Sequence, residues 1–108
     1  MFYHVSDDPN LKELIPRVPI CACSIYENIY THRVCFSTSI TGCLSATDKI
    51  SGIYYVYVPM HKIHGIKPTE NEVTDAKYTG EIWYMKPIQI KLIGSIQVKN
   101  YTSSKSYH

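Results

Sequence analysis

The sequence predicts a small α+β domain with an antiparallel or mixed β-sheet and one or two short helices. Runs of β-branched and aromatic residues recur between turn residues, which indicates about five or six short strands. Only the stretch that begins at Ile40 places apolar residues at convincing helical spacing. Because strands do not alternate regularly with long helices, a doubly wound parallel sheet is not expected.

Composition supports one globular domain. The chain has 108 residues, of which 44% are hydrophobic and 19% are charged. Its formal net charge is +2 and its basic residues are scattered, so the sequence gives no specific signal for nucleic-acid binding. Ten tyrosines accompany two phenylalanines, which favours a β-rich domain with half-exposed rings; a stacking or protein-contact surface is the alternative.

The cellular setting is predicted from what the chain does not show. Residues 1–10 lack the basic and apolar regions of a signal peptide, and no apolar run approaches the ~20 residues of a membrane span. We therefore expect a cytoplasmic protein that makes no membrane contact. Its four cysteines should be reduced in that compartment.

The first third of the chain is dominated by short extended segments. Residues 2–6 have the pattern of a strand, and the turn residues that follow should end it. Residues 11–15 are predicted to form a single helical turn, which Pro16 keeps from growing. Arg17 and Val18 should be extended because a proline follows them, and residues 20–31 are predicted to be a loop with at most a short strand.

A strand-to-helix junction follows. Residues 34–36 form the strand, and a hydroxyl side chain among residues 37–39 should cap the helix that starts at Ile40. The helix has one narrow apolar stripe, which consists of Ile40, Cys43, Leu44 and Thr47.

The second half of the chain carries the clearest strands. Residues 53–58 are six consecutive β-formers, and residues 81–85 are a second strand. Residues 88–93 and 95–98 alternate on either side of Gly94, where a β-bulge is predicted. Residues 67–73 should form at most a short helix or turn, and the domain is predicted to span residues 1–100, followed by a polar tail at 101–108.

The four cysteines are candidate metal ligands. Cys21, Cys23, Cys35 and Cys43, with His32 as a substitute, include the donor types of a zinc site. However, Cys-x-Cys is not the usual spacing of a zinc knuckle. Cys35 and Cys43 lie on apolar faces, where a free cysteine acts as a small hydrophobic residue, so no metal site is predicted.

Two ionisable residues lie inside predicted strands. An imidazole at His4 needs a partner for its ring nitrogens, and a carboxylate at Glu81 is either solvated at a sheet end or directed into a cleft. Each has an ordinary structural explanation on its own. Together with the hydroxyl-rich junction they predict a site.

The order of these segments resembles the ADP-ribosyltransferase-like superfamily, particularly its small bacterial and phage members. The resemblance rests on Phe2-Tyr3-His4-Val5-Ser6, on Arg33 to Ser39 leading into a helix, and on Gly80-Glu81 to Pro87-Ile88. It covers the chain from Phe2 to about Val98. It implies a cleft for NAD, the substrate, where the sheet splits in two.

The resemblance also implies a role for each site residue. Glu81 and His4 would be the catalytic pair: Glu81 would bond the nicotinamide-ribose 2′-hydroxyl and stabilise the oxocarbenium-like cation, while His4 would bond a ribose hydroxyl or the nicotinamide amide. Arg17 would meet the pyrophosphate. The hydroxyls at residues 37–39 would orient the ribose and Phe36 would back the pocket. The implied cofactor-binding set is His4, Arg17, Phe36, Ser37, Thr38 and Ser39.

Two functions are consistent with this resemblance. The first is a small NAD-binding ADP-ribosyltransferase-like protein that modifies a host macromolecule. The second is a non-catalytic binding or inhibitory protein, of the phage or mobile-element type, that uses the same scaffold to bind a protein or a nucleotide. Cys35 and Ala46 stand where the family has aromatic rings, and this keeps the second function open.

Overall fold

A computed structural model describes residues 1–18, 31–46, 51–68 and 80–99. The described part of the chain contains six strands and one short helix, and it confirms the small α+β class. The elements in chain order are β1 (His4–Ser6), β2 (Glu13–Leu14), β3 (Val34–Ser37), α1 (Ile40–Ala46), β4 (Gly52–Pro59), β5 (Glu81–Tyr84) and β6 (Ile88–Val98).

The strands form two small sheets, and every strand pair among the described residues is antiparallel. One sheet has the order β1-β4-β6-β2, and the other pairs β3 with β5. Among the described residues one bridge joins them: the Tyr3 amide donates to the Ser37 carbonyl at 2.8 Å, and the Ser37 amide donates to the Tyr3 carbonyl at 2.9 Å. The point where the sheets separate therefore lies between β1 and β3.

The longest pairing is between β4 and β6, and it contains the predicted bulge. Val56 lies opposite Gly94, whereas Tyr57 lies opposite Leu92, so Ile93 is the extra residue. An extra residue shifts the alternation of the strand by one, so that side chains beyond the bulge reverse their facing relative to the regular pattern. The prediction of a bulge at Gly94 is thus confirmed to within one residue, and β6 continues through it as one strand.

The core lies between the two sheets. Alternate side chains of β3 point into it because successive residues of a strand face opposite sides. Tyr57 is fully buried at its centre, and its hydroxyl donates to the Asp8 carbonyl at 2.6 Å and accepts from the Leu11 amide at 3.2 Å. These bonds satisfy the buried hydroxyl and fix the turn after β1. The buried core residues are Val34, Phe36, Tyr57, Ile63, Ile88 and Ile90.

The predicted helical turn at residues 11–15 is wrong. Glu13–Leu14 is instead the short edge strand β2, which pairs with Gln89 and Ile88 of β6. The Lys12 carbonyl also accepts from the Ile90 amide at 3.0 Å. A single helical turn satisfies few backbone groups, whereas the open edge of β6 offers partners for the extended chain. The strand predicted at residues 81–85 is one residue shorter in the structure, where β5 ends at Tyr84.

The cap of α1 is provided by Ser39, which confirms a hydroxyl cap from residues 37–39. The Gly42 amide donates to Ser39 Oγ at 3.0 Å, and the Ser39 amide donates to Ser37 Oγ at 3.2 Å.

Within the described ranges no helix has the length and apolar character needed to cross a bilayer. The predictions for residues 20–30, the short helix or turn from Thr69 onward and the tail at 101–108 lie outside the described residues.

Candidate functional site

The ladder between β3 and β5 places the site residues on one face. Cys35 lies opposite Trp83, and Ser37 lies opposite Glu81. These four side chains share a face because residues two apart on a strand point the same way. The remaining side chains of both strands face the core. On its other side β5 is bonded to Ile66, whose amide and carbonyl pair with those of Trp83 at 2.6 and 2.7 Å.

Glu81 is a buried carboxylate that is held in one orientation. It is 6% exposed, and its Oε2 atom accepts from the Trp83 indole Nε1 at 2.6 Å. The Cys35 thiol donates more weakly to the same oxygen, at 3.8 Å. A charge-assisted bond from a rigid indole fixes the carboxylate more firmly than a flexible side chain would.

Gly80 brings Glu81 against the strand-to-helix junction. Its φ is +66°, a left-handed conformation that side chains rarely adopt, and its carbonyl accepts from the Thr38 amide at 3.1 Å. A Cβ at this position would overlap Thr38 Oγ1. The sequence Gly80-Glu81 therefore allows the start of β5 to approach the end of β3 closely.

Arg33 lies at the opposite end of the same face. It is 1% exposed, and its guanidinium carbon lies 4.3 Å from the centroid of the Trp83 ring, a cation–π contact. One guanidinium nitrogen donates to the Thr31 carbonyl at 2.9 Å. Its backbone pairs with that of Arg17 through two bonds of 3.0 Å. Trp83 thus contacts a cation through its ring and a carboxylate through its N–H.

His4 lies where the two sheets separate. Its Nδ1 atom is 3.0 Å from the Cys35 carbonyl, and because a carbonyl only accepts, Nδ1 carries the proton. Burial lowers the pKa of His4, the bond to Cys35 raises it, and the charge of Arg17 lowers it further, with a net lowering. The ring is therefore neutral at pH 7 and retains Nε2 as an acceptor. Its edge contacts Phe36, with ring centroids 6.3 Å apart.

A small cavity adjoins His4. Its volume is about 170 Å³, below the ~300–1,000 Å³ that is usual for a ligand pocket, so it can take one small group. Two arginines and one histidine belong to its described lining, and no acidic residue does. It is lined by His4, Leu14, Ile15, Arg17, Arg33, Val34 and Cys35.

The predicted site residues fall into three groups. His4 and Arg17 share the cavity, and Phe36 is buried behind the His4 ring. Ser37 and Glu81 are buried opposite each other on the neighbouring ladder, outside the cavity lining.

The third group lies at the start of α1. Thr38 is exposed and Ser39 caps the helix. Neither residue belongs to the described cavity lining. The sequence prediction also missed Arg33 and Trp83. The position of Trp83 two residues after Glu81 on one strand was a readable signal, because residues so spaced share a face.

Cys43 is a half-buried residue of α1. Its Sγ atom donates to the Tyr3 carbonyl at 3.2 Å, and burial raises its pKa to about 11. Neither Cys35 nor Cys43 forms a disulfide. Among the described residues no three His, Cys, Asp or Glu side chains are grouped so that they could hold a metal ion, and Cys21 and Cys23 lie outside the described ranges.

No family model, curated protein or solved structure matches this chain.

Proposed function

We propose that this chain is an NAD-binding protein of the ADP-ribosyltransferase-like type, and that the cavity beside His4 receives a phosphate or ribose group of the nucleotide. The observation that carries this proposal is the lining of that cavity, which includes two arginines and His4. Arg17 and Arg33 would bring positive charge to a bound phosphate, and His4 would offer a neutral ring nitrogen. A phosphate is bound by an arginine, and a ribose hydroxyl can donate a hydrogen bond to a neutral ring nitrogen.

The two arginines are suited to different parts of this task. Arg33 is buried and is stacked on Trp83, so its charge is fixed. Arg17 is exposed, and its planar fork can reorient toward a phosphate. His4 Nε2 can accept a bond from a hydroxyl because Nδ1 is already engaged with Cys35. Since the cavity is small, the rest of the dinucleotide would lie outside it on the protein surface.

Calorimetric titration of NAD into the protein tests this function. Arg17→Ala should weaken binding about tenfold, the effect of one charge-assisted contact worth roughly 1.5 kcal/mol. Lys86→Ala, which removes an exposed cation outside the cavity, is the matched control and should bind as the wild type does. Absence of NAD binding, or equal affinity in the wild type and Arg17→Ala, would contradict the proposal.

ADP-ribosyl transfer to a macromolecule is a second candidate function, and the fixed orientation of Glu81 favours it. In such a reaction the bond to nicotinamide breaks, its electron pair leaves with nicotinamide, and positive charge develops on the ribose. A carboxylate beside that charge stabilises the transition state, and the nucleophile then adds and loses a proton. Glu81 is held by Trp83 on the strand paired with β3. It lies outside the cavity lining, and for this reason nucleotide binding is proposed first.

Nicotinamide release from NAD separates the two candidates. If the chain catalyses transfer, Glu81→Gln should reduce the rate of release by at least about a hundredfold, the typical effect of losing one electrostatic stabiliser. Glu13→Gln, at an exposed carboxylate on β2, should leave the rate unchanged. NAD binding without release in any of these proteins would support the non-catalytic function.

A further inference from the structure

A second and larger concavity lies apart from the cavity beside His4, and the two share no lining residue. Its volume is about 510 Å³, within the range of small-molecule sites. We call it the methionine groove. It is lined by Met1, Phe2, Val58, Pro59, Met60, His61, Lys62 and Ile63.

The floor and the rim of the methionine groove differ in exposure. Ile63 is buried and Phe2 packs against the core cluster, so the floor is continuous with the hydrophobic core. At the rim, Met1 is 82% exposed and Met60 is 60% exposed. Methionine is unbranched and polarizable, and it adapts to ligands of varied shape. The groove thus offers an apolar floor with an adjustable apolar rim.

The charged side chain among the described lining residues of the methionine groove is basic. Lys62 is exposed there beside His61. The acidic residues of the described ranges, Asp7, Asp8, Glu13 and Glu81, all lie outside its lining. An occupant that buries an apolar body at Ile63 and carries a negative group at Lys62 would complement both features.

The size of the methionine groove selects a small molecule over a protein partner. Standard protein interfaces involve about 20–30 residues on each side, far more than the described lining. An apolar cavity of about 150 Å³ admits benzene, so a groove about three times larger suits a ligand of roughly 12–18 heavy atoms. We propose that the methionine groove binds a small amphipathic acid, an apolar chain or ring system that ends in a carboxylate. This proposal does not depend on NAD binding at the cavity beside His4.

The three methionines allow a direct test. Met85 is 39% exposed and lies outside the lining, so it is a control within the same molecule. With ¹³C-labelled methionine methyl groups, dodecanoate below its micellar concentration should shift the Met1 and Met60 signals in a saturable manner and leave the Met85 signal in place. Unchanged spectra, or equal shifts of all three signals, would overturn the proposal.

The acidic group of the ligand is tested separately. Lys62→Glu should weaken dodecanoate binding roughly five- to tenfold, because an exposed attraction is lost and a repulsion is gained. Lys86→Glu makes the same charge change outside the groove and should have no effect. Dodecanol, which has the same chain without the charge, should bind both variants alike. Equal dodecanoate affinity in Lys62→Glu and the wild type would contradict the assignment of an acid.

Discussion

Trp83 connects the two buried charges of the site, and Trp83→Phe tests that connection. The substitution keeps an aromatic ring for Arg33 but removes the N–H that bonds Glu81 Oε2 at 2.6 Å. Loss of a hydrogen bond to a charged group costs about 1.5–3 kcal/mol. Imperfect packing of the smaller ring adds about 1 kcal/mol. We therefore expect the free energy of unfolding to fall by roughly 2.5–4 kcal/mol, a large share of the ~5–15 kcal/mol typical of a domain.

A double-mutant cycle isolates the contact itself. Urea unfolding of the wild type, Trp83→Phe, Glu81→Ala and the double variant should give a coupling free energy of about 2 kcal/mol. The same cycle with Glu13→Ala, an exposed carboxylate on β2, should give a coupling near zero. A coupling below about 0.5 kcal/mol between Trp83 and Glu81 would refute the claim that the indole holds the carboxylate.

Three further predictions concern the surroundings of the site. Gly80→Ala should destabilise the protein by about 1–3 kcal/mol because of its positive φ and the overlap with Thr38, whereas Gly94→Ala, with open space around its Cβ, should change the unfolding free energy far less; urea unfolding compares them. Cys43 should resist alkylation in the folded protein until the pH nears its pKa of about 11. Because burial favours the neutral thiol, the free energy of unfolding should fall as pH rises from about 9 toward 11. Alkylation followed by mass spectrometry, and urea unfolding across this pH range, measure the two effects. Since the pKa of His4 is lowered on folding, unfolding free energy should fall as pH drops below 6.5, and His4→Gln should reduce that fall.

The regular elements could be predicted because their signals are local. Residues 53–58 and 88–98 are rich in β-formers, and Gly94 marks the bulge within a residue. The β2 strand could not be found in this way, because two residues carry no period. It exists because Ile88 and Gln89, more than seventy positions later, offer backbone partners.

The site was predictable only in part, for the same reason. The resemblance implies that His4 and Arg17 both bind NAD, which stays a prediction; the structure places both residues in the lining of one cavity. The contact between Cys35 and Glu81 depends on the register of two strands that are 46 positions apart. The stacking of Arg33 on Trp83 depends on that register as well. No local pattern encodes a register of this kind, since it is set by how the core packs.

The proposal that the cavity beside His4 binds NAD is tested most directly by mapping where NAD contacts the protein. Amide signals should be followed by ¹H–¹⁵N NMR as NAD is added. We expect saturable shifts at His4, Arg17 and residues 33–35, with little change along residues 91–98 of β6, none of which lines the cavity. No shifts, or shifts confined to residues distant from His4, would contradict it.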